Sequence, residues 1–305
     1  MNEPLSHYAR VGIIHFMLWP QTMSGDGPIV ETIERLAADS DFDAVEVTRI
    51  NDPATRARVR ATLETARMTV AFGAQPILLG GKLDLNAPGD AARAAAIEAV
   101  KQAIDQAADL GAAGLAVLSG PDPGPAGRDA ATGRLVDSLK WLADYAAHKG
   151  DLPIVLETFD RVPFGKNCLI GPNAEAAEVA RRVRRDFPSF GLMIDLSHLP
   201  LQGETPQQAV AATREFLVHA HMGNCVMRDA AHEAYGDNHP RFGVPGGEND
   251  VAELTAYLRA LLDAGFLNRA ERPILSFEVK PLEGESVEAL IAGSKRTLAA
   301  AWAAV

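Results

Sequence analysis

Four apolar runs in the second half of the chain each end on a residue that can bind a metal or move a proton. They are Ile154-Val155-Leu156-Glu157, Gly191-Leu192-Met193-Ile194-Asp195, Phe216-Leu217-Val218-His219-Ala220-His221 and Ile274-Leu275-Ser276-Phe277-Glu278. A carboxylate that closes a buried run must be paired, hydrogen-bonded or metal-bound to stay ionised. Two glutamates, an aspartate and an imidazole make a mixed oxygen and nitrogen ligand set. Such a set suits one divalent cation, Mn²⁺ first and Mg²⁺ or Co²⁺ after it, better than a thiolate-bound structural zinc. Singly, each residue has a plainer reading: a strand-end ion pair for Glu157 and Glu278, an Asx or N-cap turn for Asp195, a satisfied core imidazole for His221. The combination is what points to chemistry.

Neighbouring residues extend the pattern. His219 and His221 lie two apart, so on a strand they point the same way. One can face a metal while the other lines the site or lies a layer below. His198, three residues after Asp195, offers a second ligand or donor. Asp237 and His239 fall in a long loop, together with Arg228 and Arg241, which could hold substrate hydroxyls or a carbonyl. His15 in the first apolar run, Glu46 in the second and Gln75 after the third fall at or near the site end of those runs, and Trp19, just beyond the first, could form an apolar wall against a sugar ring.

These residues need a scaffold that brings distant run ends together. Apolar runs at 11–18, 44–48, 68–74 and 115–118 precede the four above, and each of the eight is followed by a helical pattern. Alternation of this kind implies parallel strands with right-handed crossovers, and eight repeats favour a closed (β/α)₈ barrel. The strand ends then share one rim, where such barrels build their sites. Helices are expected over 29–38, 88–110, 135–148, 173–186, 205–214, 251–264 and 286–303, with Asp52-Pro53 opening another. No Gly-x-Gly-x-x-Gly follows the first run, which removes the main argument for a dinucleotide fold. No shift in composition divides the chain, so residues 1–305 read as a single domain.

Composition bounds the function. A net charge of −11, with basic residues scattered, argues against nucleic acid, whose binding needs a basic surface. No apolar run approaches the roughly 20 residues of a membrane span. The N-terminus lacks a basic and then apolar leader, so residence in the cytoplasm is expected. Two cysteines, Cys168 and Cys225, are too few for a disulfide framework or a cysteine-based zinc site.

Leu-Glu157, Asp195-x-x-His198, His219-x-His221 and Phe-Glu278, each at a strand end, resemble the xylose isomerase-like TIM-barrel superfamily. Gly243-x-x-Gly246-Gly247-x-x-Asp250 is similar to that group's glycine segment. The resemblance implies that Glu157, Asp195, His221 and Glu278 hold the metal. It also implies that the two glutamates form the acid/base pair and that His198 and Arg228 face substrate. The expected chemistry is proton removal next to a sugar carbonyl through an enediolate, as in the isomerases and epimerases, with His198 or His239 as a further acid/base or donor. His15, Trp19 and Asp237 are further candidates for substrate contact. The segment from Ala230 to Gly247 looks like the catalytic subunit of bacterial C-glycoside deglycosidases, which implies a lyase alternative and a small β-sandwich partner subunit. An inosose dehydratase-like enzyme is another lyase reading. Oligomers are common in the group. The AP endonucleases of the superfamily place extra histidines after strands three and four. Here those positions look like Gln75 and Ser119, so a three-metal nuclease is disfavoured.

Overall fold

In the computed structural model, which describes residues 3–161, 164 and 166–305, eight parallel strands close into a barrel in sequence order. They are β1 (Arg10–Ile14), β2 (Ala44–Val47), β3 (Thr69–Gly73), β4 (Leu115–Leu118), β5 (Ile154–Glu157), β6 (Gly191–Asp195), β7 (Leu217–Gly223) and β8 (Ile274–Glu278). β1 closes the ring, with Gly12 opposite Ala44 on one side and Ser276 on the other. Long helices coat the outside: α2 (Ile29–Ala37), α3 (Pro53–Ala66), α5 (Asp90–Asp109), α6 (Arg128–Ala147), α7 (Asn173–Arg184), α9 (Pro206–Thr213), α10 (Val251–Asp263) and α11 (Val287–Ala303). Three short helices, α1 (His15–Leu18), α4 (Gln75–Gly80) and α8 (His198–Gln202), sit directly or almost directly after β1, β3 and β6. Capping follows the sequence. Asp52 accepts the Thr55 N–H ahead of α3, and Asp250 with Glu253 forms a reciprocal cap on α10.

Four strand ends differ from the sequence expectation: β2 stops at Val47 rather than at residue 48, β7 runs on past His221 to Gly223, and two runs turn helical. The run 11–18 pairs as strand only to Ile14, and the run 68–74 only to Gly73. Beyond them the chain coils into α1 and α4. A continuous apolar run is compatible with either state, because both bury it.

Strand alternation divides the chemistry. Val11, Ile13, Val45, Val70, Phe72, Val117, Leu156, Ile194 and Leu275 point outward into one large core shared with the helices. The inward set is different: Gly12, Ala44, Ala71, Gly73, Ala116 and Ser276 on one arc, against Glu157, Asp195, His219 and His221 on the other. Small residues on β8 and β1 leave room for Glu46 of β2 to reach across to the histidines of β7. A Cβ on Gly12 would stand 2.4 Å from Ser276 Oγ and 3.1 Å from Ala44 Cβ. Gly12→Val is therefore expected to cost about 1–3 kcal/mol by overpacking. A denaturant midpoint equal to that of the parent protein would count against this arrangement.

Candidate active site

The four strand-end residues meet. One ligand atom each from Glu157, Asp195, His221 and Glu278 lies within 4.8 Å of the others, and the group is buried. His221 Nδ1 is 2.8 Å from Glu278 Oε2 and 3.5 Å from Glu157 Oε1. Yet His221 Nδ1, Glu157 Oε1 and Glu278 Oε2 are buried without a hydrogen-bond partner among the described residues. Orphaned buried polar atoms are costly, and here three of them converge on one point. A divalent cation satisfies all three at once, so the donor set fits a metal.

Each ligand is held from behind. The Nε2–H of His221 and that of His219 both donate to Glu46 Oε1, at 3.0 and 2.8 Å. This leaves His221 Nδ1 free to face the carboxylates. Gln75, at the start of α4, donates from Nε2 to Glu157 Oε2 at 2.7 Å. Ser197 donates its backbone N–H to Asp195 Oδ1 at 3.0 Å and its hydroxyl to Asp195 Oδ2. Such outer contacts fix ligand orientation and basicity.

A second layer joins the first. Asp237 Oδ1 lies 2.9 Å from His239 Nε2 and 3.2 Å from His198 Nε2, while Lys166 Nζ donates to Asp237 Oδ2 at 2.8 Å. His239 Nε2 is also 3.4 Å from Glu278 Oε1, linking the layers. Electrostatics follow from this crowding. Burial works to lower the pKa of His198, His221 and His239. The carboxylates around them outweigh burial and raise all three, the first two well above the ordinary histidine value. Burial raises Asp195. For Glu46 and Asp237 burial pulls upward too, but the adjoining histidines, and for Asp237 also Lys166, hold them well below the usual carboxylate range. The centre therefore draws positive charge.

Above it opens a cavity of about 240 Å³ at the C-terminal mouth of the barrel. Its floor carries Glu46, Glu157, His221 and Glu278, with Lys166, Asp237, His239 and Lys280 on one side. Phe16 and Met17 of α1, Met23, and Pro76 and Leu79 of α4 form an apolar wall opposite.

A family model described as "Xylose isomerase-like TIM barrel" matches residues 35–293. The chain belongs to that family. No curated protein sequence matches it. Among solved structures, an L-ribulose 3-epimerase superposes with TM-score 0.70 at 19% identity, covering 97% of this chain and 96% of the other. A 3-keto-D-glucoside 4-epimerase from E. coli gives 0.63 at 17%, covering 97% and 99%. An AP endonuclease, family 2, from Brucella melitensis gives 0.68 at 18%, covering 95% and 99%. At these identities the likeness is one of fold.

Within this xylose isomerase-like barrel, Asp237 and His239 line the cavity as substrate-facing residues should, but four other candidates, His15, Trp19, Arg228 and His198, do not. His15 turns away because α1 starts at that residue, and its Nε2 contacts Thr32 Oγ1 of α2 at 2.7 Å. Trp19 packs against His15 and borders a separate surface hollow with Arg35 and Lys295. Phe16 and Met17 take the places expected of them. Arg228 is 77% exposed in its side chain and pairs with Glu248 on the outside of the loop. His198 is sealed beneath the cavity, its Nδ1–H donating to Thr158 O at 2.7 Å, so it supports Asp237 rather than touching the cavity itself. Sequence reasoning missed Lys166, which lacks any local motif, and it noted Glu46 and Gln75 only as rim residues. Their roles depend on contacts 173 and 82 residues away.

His15 carries a separate consequence. Burial lowers its pKa from 6.5 to about 3. Between those values the unfolded chain binds a proton that the folded one does not, so stability falls as pH drops through that window. His15→Gln should flatten the loss of stability between pH 6.5 and 4, read by denaturant titration. An unchanged slope would show that other groups govern it.

Proposed function

We propose that this protein is a divalent-metal-dependent enzyme that removes a proton next to the carbonyl of a sugar or keto-sugar, in the manner of an isomerase or epimerase. The observation that carries the reading is the convergence of Glu157 Oε1, His221 Nδ1 and Glu278 Oε2, all buried and unpartnered, beside Asp195 on the floor of a sugar-sized cavity. Family membership and the fold shared with sugar epimerases support it.

Glu157, Asp195, His221 and Glu278 would hold the ion, Mn²⁺ being the best match to the mixed donor set. When bound, it supplies Lewis acidity to a carbonyl oxygen and so acidifies the adjacent C–H. The remaining chemistry belongs to the chain. Glu157 and Glu278 border the cavity and are the carboxylates able to take the proton and return it. Gln75 keeps Glu157 oriented by holding its second oxygen. Asp237 presents His239 at the cavity edge, and Lys166 balances the charge of Asp237. The apolar wall excludes water from the side opposite the polar groups.

That wall also favours a second reading, in which the proton loss is followed by departure of a β-substituent. A sugar bearing an apolar aglycone would fill the Phe16, Met17 and Leu79 face, as a C-glycoside deglycosidase acting on 3-oxo-glucosides requires. The test is one assay with two readouts. Mn²⁺-loaded protein is incubated in D₂O with free ketoses and with aryl 3-oxo-glucosides, and NMR follows deuterium at the carbon next to the carbonyl and free aglycone. Exchange without release is expected under the first reading, and aglycone release under the second. Neither signal, in protein shown to contain Mn²⁺, would sink both.

A further inference from the structure

We propose that the N-terminal mouth of the barrel is a second binding site, built for a small organic acid that also carries a hydroxyl group. A closed eight-stranded barrel ordinarily fills its interior with layers of bulky side chains. Here the layer nearest the strand starts, with Ala71, Val155 and Ile274, leaves a cavity of about 420 Å³. Arg10, Arg214 and Glu271 also border it. This mouth lies at the opposite end of the strands from the metal-ligand cluster.

His219 is the group that points to a ligand. The residue is only 6% exposed, and it lines this cavity rather than the one above the ligand cluster. Its Nε2–H is committed to Glu46 Oε1 at 2.8 Å, whereas Nδ1 has no hydrogen-bond partner among the described residues. A buried nitrogen left unpaired is costly, and a ligand hydroxyl removes that cost. A hydroxyl suits Nδ1 in either state of the ring, because it donates to a bare nitrogen and accepts from a protonated one. The charge preference comes from the arginines. Arg10 is half-buried and steadied by Nη1, which donates to the Arg272 carbonyl at 2.8 Å. Neither Arg10 nor Arg214 forms an ion pair among the described residues. Their guanidinium groups, set against the one carboxylate of Glu271, favour a monoanion even in a chain of net charge −11. Guanidinium meets a carboxylate through parallel N–H donors. The apolar wall then suits a short carbon chain joining carboxylate to hydroxyl. Inorganic phosphate would answer the charge and leave that wall uncovered.

Calorimetric titration of the full chain with L-lactate and D-gluconate tests the site, with propionate and inorganic phosphate as comparison ligands. The two hydroxy acids should bind saturably with dissociation constants of roughly 0.1–10 mM, as suits ligands of few heavy atoms. Lactate should bind about 3–10-fold more tightly than propionate, the usual effect of one hydrogen bond. His219→Leu should erase that preference and leave propionate binding as it was. Arg214→Ala should weaken all three organic acids about 3–10-fold. Thermal midpoints check that each variant is folded, and Arg214 is exposed, so its variant keeps the test valid if His219→Leu does not fold. Absence of saturable binding by both hydroxy acids would overturn the proposal, as would phosphate binding more tightly than either. Binding indifferent to both substitutions would place the acids elsewhere on the protein and overturn it equally.

Discussion

Glu157→Gln and Glu278→Gln each abolish most of the proton exchange, by roughly 10²–10⁴-fold, while the barrel stays folded. The substitution keeps side-chain volume and planarity, so packing at the floor is nearly conserved. What it removes is a basic oxygen and a negative charge at the one place where both are needed. The two positions should not behave alike. Glu157 has one oxygen committed to Gln75 Nε2, so an amide there must present either its oxygen to that donor or its NH₂ against another NH₂. The oxygen-to-donor orientation then turns the NH₂ toward His221 Nδ1, where Glu157 Oε1 stood. Glu157→Gln should thus weaken metal binding as well as exchange. Glu278, approached by His221 and His239, has no comparable hydrogen-bond donor among the described residues to fix its orientation. Its glutamine variant should keep more metal for the same loss of exchange. Bound Mn²⁺ by elemental analysis and exchange by NMR separate these effects. Near-parental exchange in both variants, at full metal content, would remove the two glutamates from the proposed chemistry.

How much of this could be read from the chain depends on the range of the interaction involved. The barrel was legible because each β/α unit declares itself locally: apolar runs ending in charged residues, Asp52-Pro53 opening a helix, Gly111 and Gly150 following helix ends. The convergence of Glu157, Asp195, His221 and Glu278 followed from topology alone, since parallel strands share a rim. The failures share a cause. His15 and Trp19 face the rim only if strand alternation continues past Ile14. The chain instead turns helical there, and each residue then rotates by about 100° rather than 180°. For Arg228 and His198 the expectation of substrate contact rests on motif likeness. Whether a loop arginine points inward or pairs outward with Glu248 is decided by tertiary contact, which no local spacing encodes. Lys166 was invisible for the same reason. His219 shows the intermediate case. Its register with His221 is a property of any strand, but its attachment to Glu46 depends on Gly12 and Ser276 leaving space across the barrel.

That attachment sets up the second large effect. His221→Ala removes a nitrogen ligand outright and should lower Mn²⁺ affinity by more than any single outer contact can. Glu46→Gln is the more informative change, because Glu46 reaches no part of the four-residue ligand cluster except His221. Its carboxylate accepts from two imidazoles at 2.8 and 3.0 Å, which fixes both rings with Nε2 protonated on that side. A neutral amide can still accept through its oxygen, so packing survives. It no longer stabilises positive charge on the rings, and its NH₂ is a poor neighbour for either N–H. His221 then loses basicity at Nδ1 and the tautomer bias that places the neutral ring's proton on Nε2. The expected result is a 10–100-fold drop in Mn²⁺ affinity, the usual cost of disturbing a carboxylate behind a metal-binding histidine. Titration of metal-stripped protein by calorimetry measures it. His219→Gln provides the contrast: it removes the competing imidazole and leaves Glu46 to His221 alone, so affinity should hold or rise. Equal losses in Glu46→Gln and His219→Gln would mean that the pair matters only as packing beneath the site. A loss confined to Glu46→Gln would place the control of the metal on a carboxylate of the opposite strand.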